Sequence, residues 1–150
     1  MAQSLSQLYV HVVWSTKGRA PLVPWQVRPE LAKILHVEFE KMDCCALAVA
    51  CLADHVHVLF RQPRTRTAAD IVMRVKVNSS IWVKDKADSL SGFRWQRGYG
   101  IFSVSASMVP TVRAYVENQE AHHRAMSFED EYRATLMRHD VEFDERYVWD

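Results

Sequence analysis

Runs of aromatic and β-branched residues alternate with segments of helical periodicity along this chain. "LYVHVVWST" (8–16) predicts a strand, and the proline- and glycine-rich "KGRAPLVPW" predicts the loop that follows it. Apolar residues at helical spacing predict a helix over 28–42, with Pro29 in its first turn. A short apolar strand over 44–52 is joined by two residues to a strand that begins at His55, which predicts a tight hairpin.

The second half of the chain predicts further elements of both kinds. In order, they are a helix capped by Thr67 and running to about residue 86, a strand over 93–105 with a bend at Gly98 or Gly100, a helix over 107–125, and a helix over 127–139 that begins with a capping box. The order β-α-β-β-α-β followed by helices is that of the ferredoxin-like split βαβ unit, an α+β fold. Such a fold places two helices on one face of an antiparallel sheet and leaves the other face for ligands.

The chain is expected to form one domain. Its 150 residues suffice for a core that needs no disulfide or metal ion. Residues 127–150 are predicted to form a C-terminal helix and tail that pack on the same domain as residues 1–126. The tail is too apolar to float freely, because it carries Phe143, Tyr147, Val148 and Trp149.

Composition places the protein in an ordinary globular class. The apolar fraction is 49% and the charged fraction 25%. No apolar run reaches the length of a membrane span, and the N-terminus lacks the pattern of a signal peptide. The cysteines are Cys44, Cys45 and Cys51, an odd number without a C-x-x-C motif. Their arrangement favours a reducing cytoplasm and argues against a zinc site built from cysteines.

Charge is distributed unevenly along the sequence. Residues 127–150 carry eight acidic residues and three arginines, so residues 1–126 carry a charge of +6 although the whole chain carries only +1. The basic residues cluster in two groups: Lys17, Arg19 and Arg28, then Arg61, Arg64, Arg66, Arg74 and Lys76. Clusters of this kind are typical of a phosphate-binding surface, although many basic stretches are simply exposed to solvent and bind no ligand.

Two histidines interrupt an otherwise apolar strand in "DHVHVLF" (54–60). Because side chains alternate along a strand, His55 and His57 are expected on the face opposite to that of the apolar residues between and after them. Two neutral imidazoles on one rigid strand suit a divalent metal ion. The alternative is a pair of half-exposed polar residues on a solvated sheet face.

A tyrosine and a glutamine share one face of the predicted helix over 107–125. Tyr115 and Gln119 are four residues apart, and His122 continues the same polar stripe. A separate apolar stripe, able to face the core, consists of Val109, Val112 and Val116. The arrangement fits a phenol held near a metal ion, and the alternative is a core tyrosine beside a solvated glutamine.

A phenol and a metal ion together suit attack on a phosphodiester. A phenol is a weak nucleophile at neutral pH because its pKa is about 10. A nearby cation lowers the cost of the phenolate and neutralises charge on the phosphate oxygens. The amide oxygen of Gln119 can fill one of the coordination positions that two imidazoles leave open. Such a site suits Mg²⁺ or Mn²⁺, and Mn²⁺ is more tolerant of imidazole.

Three stretches together resemble the single-tyrosine HUH transposases of the bacterial insertion sequence 200/605 group: "YVHVVWSTKGRAPLV", "DHVHVLF" and "AYVENQ". The resemblance covers about 8–123 and keeps the family's order. It implies metal ligation by His55 and His57, with Gln119 as the third ligand. It also implies that Tyr115 is the nucleophile, which forms a 5′-phosphotyrosine link to single-stranded DNA and releases a 3′-hydroxyl. Rejoining reverses this step, so no nucleotide cofactor is implied.

The same resemblance implies the partners of the protein. Members of the group act as homodimers in which the tyrosine helix of one subunit can complete the other subunit's site, and they bind imperfect DNA hairpins. Residues 1–126 would then be the catalytic domain. The expected DNA contacts are Lys17 and Arg19 in the first loop, Arg61, Arg64 and Arg66 after the H-x-H strand, and Lys76, Asn78, Ser79 and Ser80 on the second helix. The last four equally fit an exposed helix face.

Other functions remain open at the level of sequence. They are a domesticated nuclease of the same type that processes repeated extragenic palindromes, a non-catalytic module that binds single-stranded nucleic acid on a ferredoxin-like sheet, and a metal-dependent hydrolase without a covalent intermediate. His11 and His36 are expected to be structural, whereas His122 and His123 lie close enough to support the site. The acidic segment 127–150 lies beyond the matched part, and no catalytic role is derived for its "DERYVWD" end.

Overall fold

A four-stranded antiparallel sheet forms the centre of the protein in a computed structural model that describes residues 2–150. The strands are β1 (Leu8–Ser15), β2 (Cys45–Cys51), β3 (His55–Gln62) and β4 (Gly100–Val104), in the spatial order β2-β3-β1-β4. The helices are α1 (Arg28–Lys41), α2 (Ala68–Lys84), α3 (Val109–Glu117), α4 (Gln119–His122) and α5 (Phe128–Arg138). This strand order is that of the split βαβ unit, so the predicted ferredoxin-like α+β fold is confirmed.

The main core lies between one face of the sheet and the helices α1 and α2. Alternation along the strands sends every second side chain to this face. The buried residues that pack here include Val12 and Trp14 of β1, Val56, Val58 and Phe60 of β3, Leu31, Leu35 and Phe39 of α1, and Ile71, Val72 and Val75 of α2. Burial of these side chains fixes the register of β3, because a shift by one residue would move the whole set to the other face.

The second face of the sheet is covered rather than open. Val116 of α3 packs on Leu59, and an aromatic cluster of α5 packs on Val13. The α5 cluster comprises Phe128, Tyr132 and Leu136, together with Phe102 of β4. His55 and His57 therefore lie beneath α3 and α5, and each is only 1% exposed. The expectation of an open ligand face is wrong, and so is the alternative of a solvated histidine pair.

The predicted strand over 93–105 is shorter in the structure. Trp95 forms a single bridge with Thr16, and regular pairing with β1 begins only at Gly100. The intervening backbone is engaged elsewhere, because Lys76 Nζ donates to the carbonyl oxygens of Gln96 and Gly98, at 3.0 and 2.5 Å. The ammonium group of Lys76 thus binds backbone carbonyl oxygens that would accept hydrogen bonds from a neighbouring strand if β4 began earlier.

The predicted helix over 107–125 is interrupted at Asn118. Its side-chain amide donates to the carbonyl oxygen of Ala114 at 2.8 Å, which closes the last turn of α3 before the short α4 begins. The caps of α2 and α5 are confirmed. The Oγ1 of Thr67 accepts from the backbone N–H of Asp70, and the Oγ of Ser127 accepts from that of Asp130.

The C-terminal tail returns to the body of the protein. Phe143, Val148 and Trp149 pack against the α5 cluster, and the backbone N–H of Gly98 donates to the carbonyl oxygen of Asp150 at 2.8 Å. The thiols of the three cysteines are all free. None of the helices in residues 2–150 combines the length and the apolar character that crossing a membrane requires.

Candidate active site

Four potential metal ligands meet beneath α3 and α5: His55, His57, His123 and Glu131. One donor atom from each lies within 4.8 Å of the donor atoms of the other three. β3 supplies the first two, since H-x-H spacing places both imidazoles on the same face of a strand. His123 follows α4 directly, and Glu131 stands in the first turn of α5. Imidazole nitrogens and a carboxylate oxygen form a donor set that fits a divalent cation.

The carboxylate of Glu131 stands at the centre of this cluster and is 3% exposed. Its Oε1 lies 2.9 Å from Nε2 of His57, 3.2 Å from Nε2 of His123 and 4.0 Å from Nε2 of His55. Its Oε2 accepts a hydrogen bond of 2.5 Å from the hydroxyl of Tyr115. One carboxylate therefore joins the histidine cluster to the tyrosine.

Each histidine of β3 makes a hydrogen bond through its Nδ1 atom, on the side of the ring away from the cluster. Nδ1 of His55 lies 2.6 Å from Oδ1 of Asp54, and Nδ1 of His57 lies 2.8 Å from Nε2 of His11. With a proton on each Nδ1, both Nε2 lone pairs would be free for a metal ion, which is the usual arrangement behind metal-binding imidazoles. Without the ion, the contact of 2.9 Å between Nε2 of His57 and Glu131 is a hydrogen bond that requires the proton on Nε2 instead. His11, expected to be structural, thus has a specific place in orienting His57.

Burial and hydrogen bonding set the protonation of the site. Burial lowers the pKa of His57 to about 4, so its imidazole is in the neutral form that binds metals. Burial would raise the pKa of the Glu131 carboxyl, but hydrogen bonds with His123 and His57 hold that pKa far below its usual range. Burial and the hydrogen bond to Glu131 raise the pKa of the Tyr115 phenol. The phenol therefore keeps its proton at neutral pH unless positive charge is brought close to it.

Gln119 reaches the edge of the cluster from the start of α4. Its Oε1 lies 2.9 Å from Nε2 of His123, and its Nε2 donates to the backbone carbonyl oxygen of Tyr115 at 3.3 Å. The side chain is 2% exposed. The structure thus brings Tyr115 and Gln119 to the two histidines of β3, while the role of Gln119 as a third metal ligand stays a prediction.

Glu131 is the residue that sequence reasoning missed. The buried residues of α5 are Phe128, Glu131, Tyr132, Thr135 and Leu136, which follow helical spacing. A glutamate inside an otherwise apolar stripe was the available signal. It was obscured because eight acidic residues crowd the segment 127–150, and among them only Glu131 is buried. Asp54 had a simpler signal, since it directly precedes the first histidine of the motif.

The predicted DNA-contact residues lie at different ends of the sheet. Lys17 and Arg19 follow β1 at the end where Ser15 pairs with His55. They line a cavity of about 530 Å³ together with Arg94, Arg97 and Arg146. Arg61, Arg64 and Arg66 lie at the other end of β3, and Arg61 is roughly 13 Å along the strand from His57 at the rise of an extended chain.

Two further cavities open on either side of the cluster. One of about 580 Å³ borders His55 and His123, and its charged lining comprises two arginines and three carboxylates: Arg28, Arg124, Asp54, Glu120 and Glu129. The other, of about 330 Å³, borders Tyr115 and is lined by Arg138. Positive charge therefore prevails only in the cavity beside Tyr115, which has no acidic residue in its lining and suits a phosphate-bearing ligand.

The four polar residues predicted on the second helix do not share one exposed face. Ser79 is fully buried, and its Oγ accepts a hydrogen bond of 3.0 Å from Nε1 of Trp95. Its interpretation as a residue that contacts DNA is therefore corrected to a structural one. Asn78 is exposed but donates to Glu38, and Lys76 binds the carbonyl oxygens that precede β4. Ser80 is partly exposed.

Residues 4–119 match the model of the family described as "Transposase IS200 like". This chain belongs to the IS200-like transposase family. Membership supports a transposase role in DNA processing for this protein. The matched part includes the H-x-H strand, Tyr115 and Gln119, and it ends before His123 and α5.

Solved structures show the same fold in proteins of low sequence identity. A candidate transposase from Deinococcus radiodurans R1 is 24% identical, with a TM-score of 0.61 over 79% of this chain and 98% of the other. A REP-associated tyrosine transposase bound to a REP hairpin is 13% identical, with a TM-score of 0.58 over 82% of this chain and 74% of the other. No curated protein matches this transposase in sequence.

Proposed function

We propose that this transposase is a metal-dependent enzyme that cleaves and rejoins single-stranded DNA at hairpin-bearing ends through a 5′-phosphotyrosine intermediate. The observation that carries the proposal is the shared carboxylate of Glu131. It lies 2.5 Å from the hydroxyl of Tyr115 and 2.9 Å from Nε2 of His57, so the nucleophile and the H-x-H motif meet at one point.

The metal would be Mg²⁺ or Mn²⁺, held by His55 and His57 with Gln119 as the family's third ligand. A divalent cation at this place lowers the cost of forming the Tyr115 phenolate and neutralises charge that develops on the phosphate oxygens. The buried and neutral imidazole of His57, oriented by His11, supports this assignment.

The chain's own residues perform the transfer in the following way. The Tyr115 oxygen attacks the phosphorus, a tyrosine O–P bond forms, and the bond from phosphorus to the 3′-oxygen breaks. The phenolic proton has an acceptor in Oε2 of Glu131, and the departing 3′-oxygen takes up a proton to become a hydroxyl. The downstream DNA fragment stays bound to Tyr115 through its 5′-phosphate. Attack by a 3′-hydroxyl on this phosphotyrosine reverses the step and rejoins DNA without a nucleotide cofactor.

DNA binding is assigned to basic and polar residues that are exposed or half-buried. Lys17 and Arg19, at the His55 end of the sheet, are proposed to guide the strand toward the site. Arg61, Arg64 and Arg66, with Lys76, Asn78 and Ser80, are proposed to bind flanking phosphates. A solved protein of the same fold is bound to a REP hairpin, which supports a hairpin as the partner of this chain as well.

The homodimer and the cytoplasmic location also belong to this proposal. Tyr115 lies beside the H-x-H motif of its own chain, which supports a site that one subunit can assemble by itself. Light scattering on the purified protein would measure whether the chain nevertheless forms dimers.

A domesticated nuclease that processes repeated extragenic palindromes is the second candidate. The fold shared with a REP-associated tyrosine transposase favours it. It would produce the same phosphotyrosine adduct, and the two candidates differ in whether cleaved ends are joined to a new partner strand. A non-catalytic binding module is disfavoured, because α3 and α5 cover the sheet face that such modules use for stacking bases.

Covalent capture tests the proposal directly. The full chain is incubated with Mn²⁺ and single-stranded DNA that carries a hairpin and a label at its 3′ end, on the fragment that would stay bound to Tyr115, then denatured and separated by size. We expect a labelled protein band that depends on the metal and maps to the peptide containing Tyr115. Cleavage without any adduct would support a metal-dependent hydrolase instead, and binding without cleavage would support a non-catalytic module.

A further inference from the structure

We propose that Glu131, carried by a helix outside the part that matches the family, is a metal ligand of this site and also holds the nucleophile in place. The inference rests on the proposed function, because it concerns the same metal site. It adds a carboxylate to a ligand set otherwise drawn from His55, His57 and Gln119.

The position of Glu131 on α5 is the first argument. The residue occupies the buried stripe of the helix, between Phe128 and Tyr132, whereas the neighbouring Glu129 pairs with Arg19 at 2.8 Å on the outside. A buried carboxylate costs free energy unless it is paired or coordinates a metal ion. The fold nevertheless places this carboxylate under the sheet-covering helices, in contact with the imidazoles of the H-x-H motif.

The two carboxylate oxygens have separate partners, which is the second argument. Oε1 faces three imidazole nitrogens, from His57, His123 and His55, at 2.9, 3.2 and 4.0 Å. Two ligands that each bind one metal at about 2.1 Å lie at most about 4.2 Å apart, so all three separations are compatible with a shared ion. Oε2 faces the hydroxyl of Tyr115 and also lies 3.3 Å from Nε2 of His122.

The backbone of α5 is fixed firmly enough to present a ligand. Tyr132, the next residue, packs so closely on Gly100 that a Cβ there would lie 2.7 Å from its ring. Thr135 Oγ1 donates to the carbonyl oxygen of Glu131 at 2.9 Å. A ligand supported on a packed helix keeps its geometry better than one on a free loop.

The enlarged donor set has a consequence for metal choice. If His123 of the same cluster is counted with His55 and His57, the site offers three imidazole nitrogens and one carboxylate oxygen. Such a set suits Mn²⁺ better than Mg²⁺, which prefers oxygen ligands and water. We therefore expect the protein to bind Mn²⁺ more tightly than Mg²⁺.

Isothermal titration of Mn²⁺ into the full chain without DNA tests the inference separately from activity. We expect Glu131→Gln to bind Mn²⁺ at least about tenfold more weakly than the native protein. The control Glu142→Gln removes an exposed carboxylate from the tail and should bind as the native protein does. Native affinity in Glu131→Gln would overturn the inference.

The variant His57→Ala distinguishes a failure of the Glu131 inference from a failure of the proposed H-x-H metal site. If His57→Ala loses Mn²⁺ binding while Glu131→Gln keeps it, the H-x-H metal site stands and only the role of Glu131 fails. If His57→Ala also binds Mn²⁺ with native affinity, the metal site of the proposed function fails as well.

Folding of the variants is measured by thermal unfolding in the presence of a chelator. Should Glu131→Gln fail to fold, Glu131→Asp decides the question, since it keeps the charge and withdraws the oxygens by one carbon–carbon bond. We expect weaker Mn²⁺ binding by Glu131→Asp, and native affinity in that variant would overturn the inference.

Discussion

The hydroxyl of Tyr115 donates a hydrogen bond of 2.5 Å to Oε2 of Glu131, which joins α3 to α5 beneath the sheet. The two residues are 16 positions apart in sequence, and an interrupted helix and a turn separate them. Through this contact, the place of Tyr115, the proposed nucleophile, depends on a helix that the family match does not include.

Removal of the Tyr115 hydroxyl should separate catalysis from binding. Tyr115→Phe keeps the ring but removes the hydroxyl donor from Oε2 of Glu131, which then keeps only Nε2 of His122 nearby, so we expect a loss of about 1–3 kcal/mol in the free energy of unfolding. The covalent adduct should disappear, while hairpin affinity stays within about twofold in a gel-shift measurement. Tyr147→Phe, at a tyrosine that is 64% exposed, is the matched control and should behave as the native protein. An adduct that persists in Tyr115→Phe would show that another residue is the nucleophile.

Asp54 should tune the metal site through His55. Its Oδ1 lies 2.6 Å from Nδ1 of His55, and carboxylates behind metal-binding histidines typically strengthen metal affinity about 10–100-fold. We expect Asp54→Asn to weaken Mn²⁺ binding by a factor in that range, measured by titration calorimetry. Asp85→Asn, at an exposed position after α2, should leave the affinity unchanged. Equal affinities of the two variants would contradict this role.

Gly100 should be intolerant of any side chain. A Cβ at this position would lie 2.7 Å from the ring and the hydroxyl of Tyr132, so α5 would have to shift away from β4. We expect Gly100→Ala to lower the free energy of unfolding by about 1–3 kcal/mol in urea titrations. Gly92→Ala adds the same methyl group where no atom lies within 4 Å, and it should change stability by less than about 0.5 kcal/mol. Similar free energies of unfolding for Gly100→Ala and Gly92→Ala would mean that Tyr132 of α5 does not pack on Gly100 as described.

The basic residues near His55 should contribute to the salt dependence of DNA binding. Each phosphate contact to a single strand contributes roughly −0.7 to the slope of log affinity against log salt. We expect Lys17→Gln to reduce the magnitude of that slope by about this amount, measured by fluorescence anisotropy between low and moderate salt. Arg64→Gln tests in the same way the cluster at the other end of β3. An unchanged slope in either variant would remove that residue from the DNA-binding surface.

Acid should destabilise the protein through His11. Burial, with a smaller effect of His57, lowers the pKa of His11 from 6.5 to about 3. Above pH 6.5 the imidazole is neutral in both the folded and the unfolded chain, so protonation of His11 does not lower the free energy of unfolding there. Below that value only the unfolded chain takes up the proton, and stability falls by up to about 1.4 kcal/mol per pH unit until pH approaches 3.

Urea titrations in a chelating buffer between pH 7 and pH 5 measure this effect. We expect a shallower pH dependence for His11→Asn than for the native chain. His36→Asn, on the outer side of α1, should keep the native dependence. An unchanged slope in His11→Asn would show that another group takes up the proton.

The amino-acid sequence by itself determined the fold class and most element boundaries. Aromatic, β-branched and apolar runs indicated the strands, and helical spacing with the caps at Thr67 and Ser127 indicated the helices. The order of these elements is that of the split βαβ unit. The H-x-H motif and Tyr115 were likewise accessible, because regular spacing within one strand or one helix places side chains on a known face.

Only the tertiary structure decided what covers the sheet face that carries His55 and His57. The packing of α5 on Val13 buries His55 and His57 and brings Glu131 to them across more than seventy residues of sequence. Sequence periodicity indicates that a helix has a buried side, but it does not say which surface the buried side meets. The contact between Glu131, His57 and Tyr115 depends on the docking of α5, which is determined by the fit of many side chains at once and not by any local pattern.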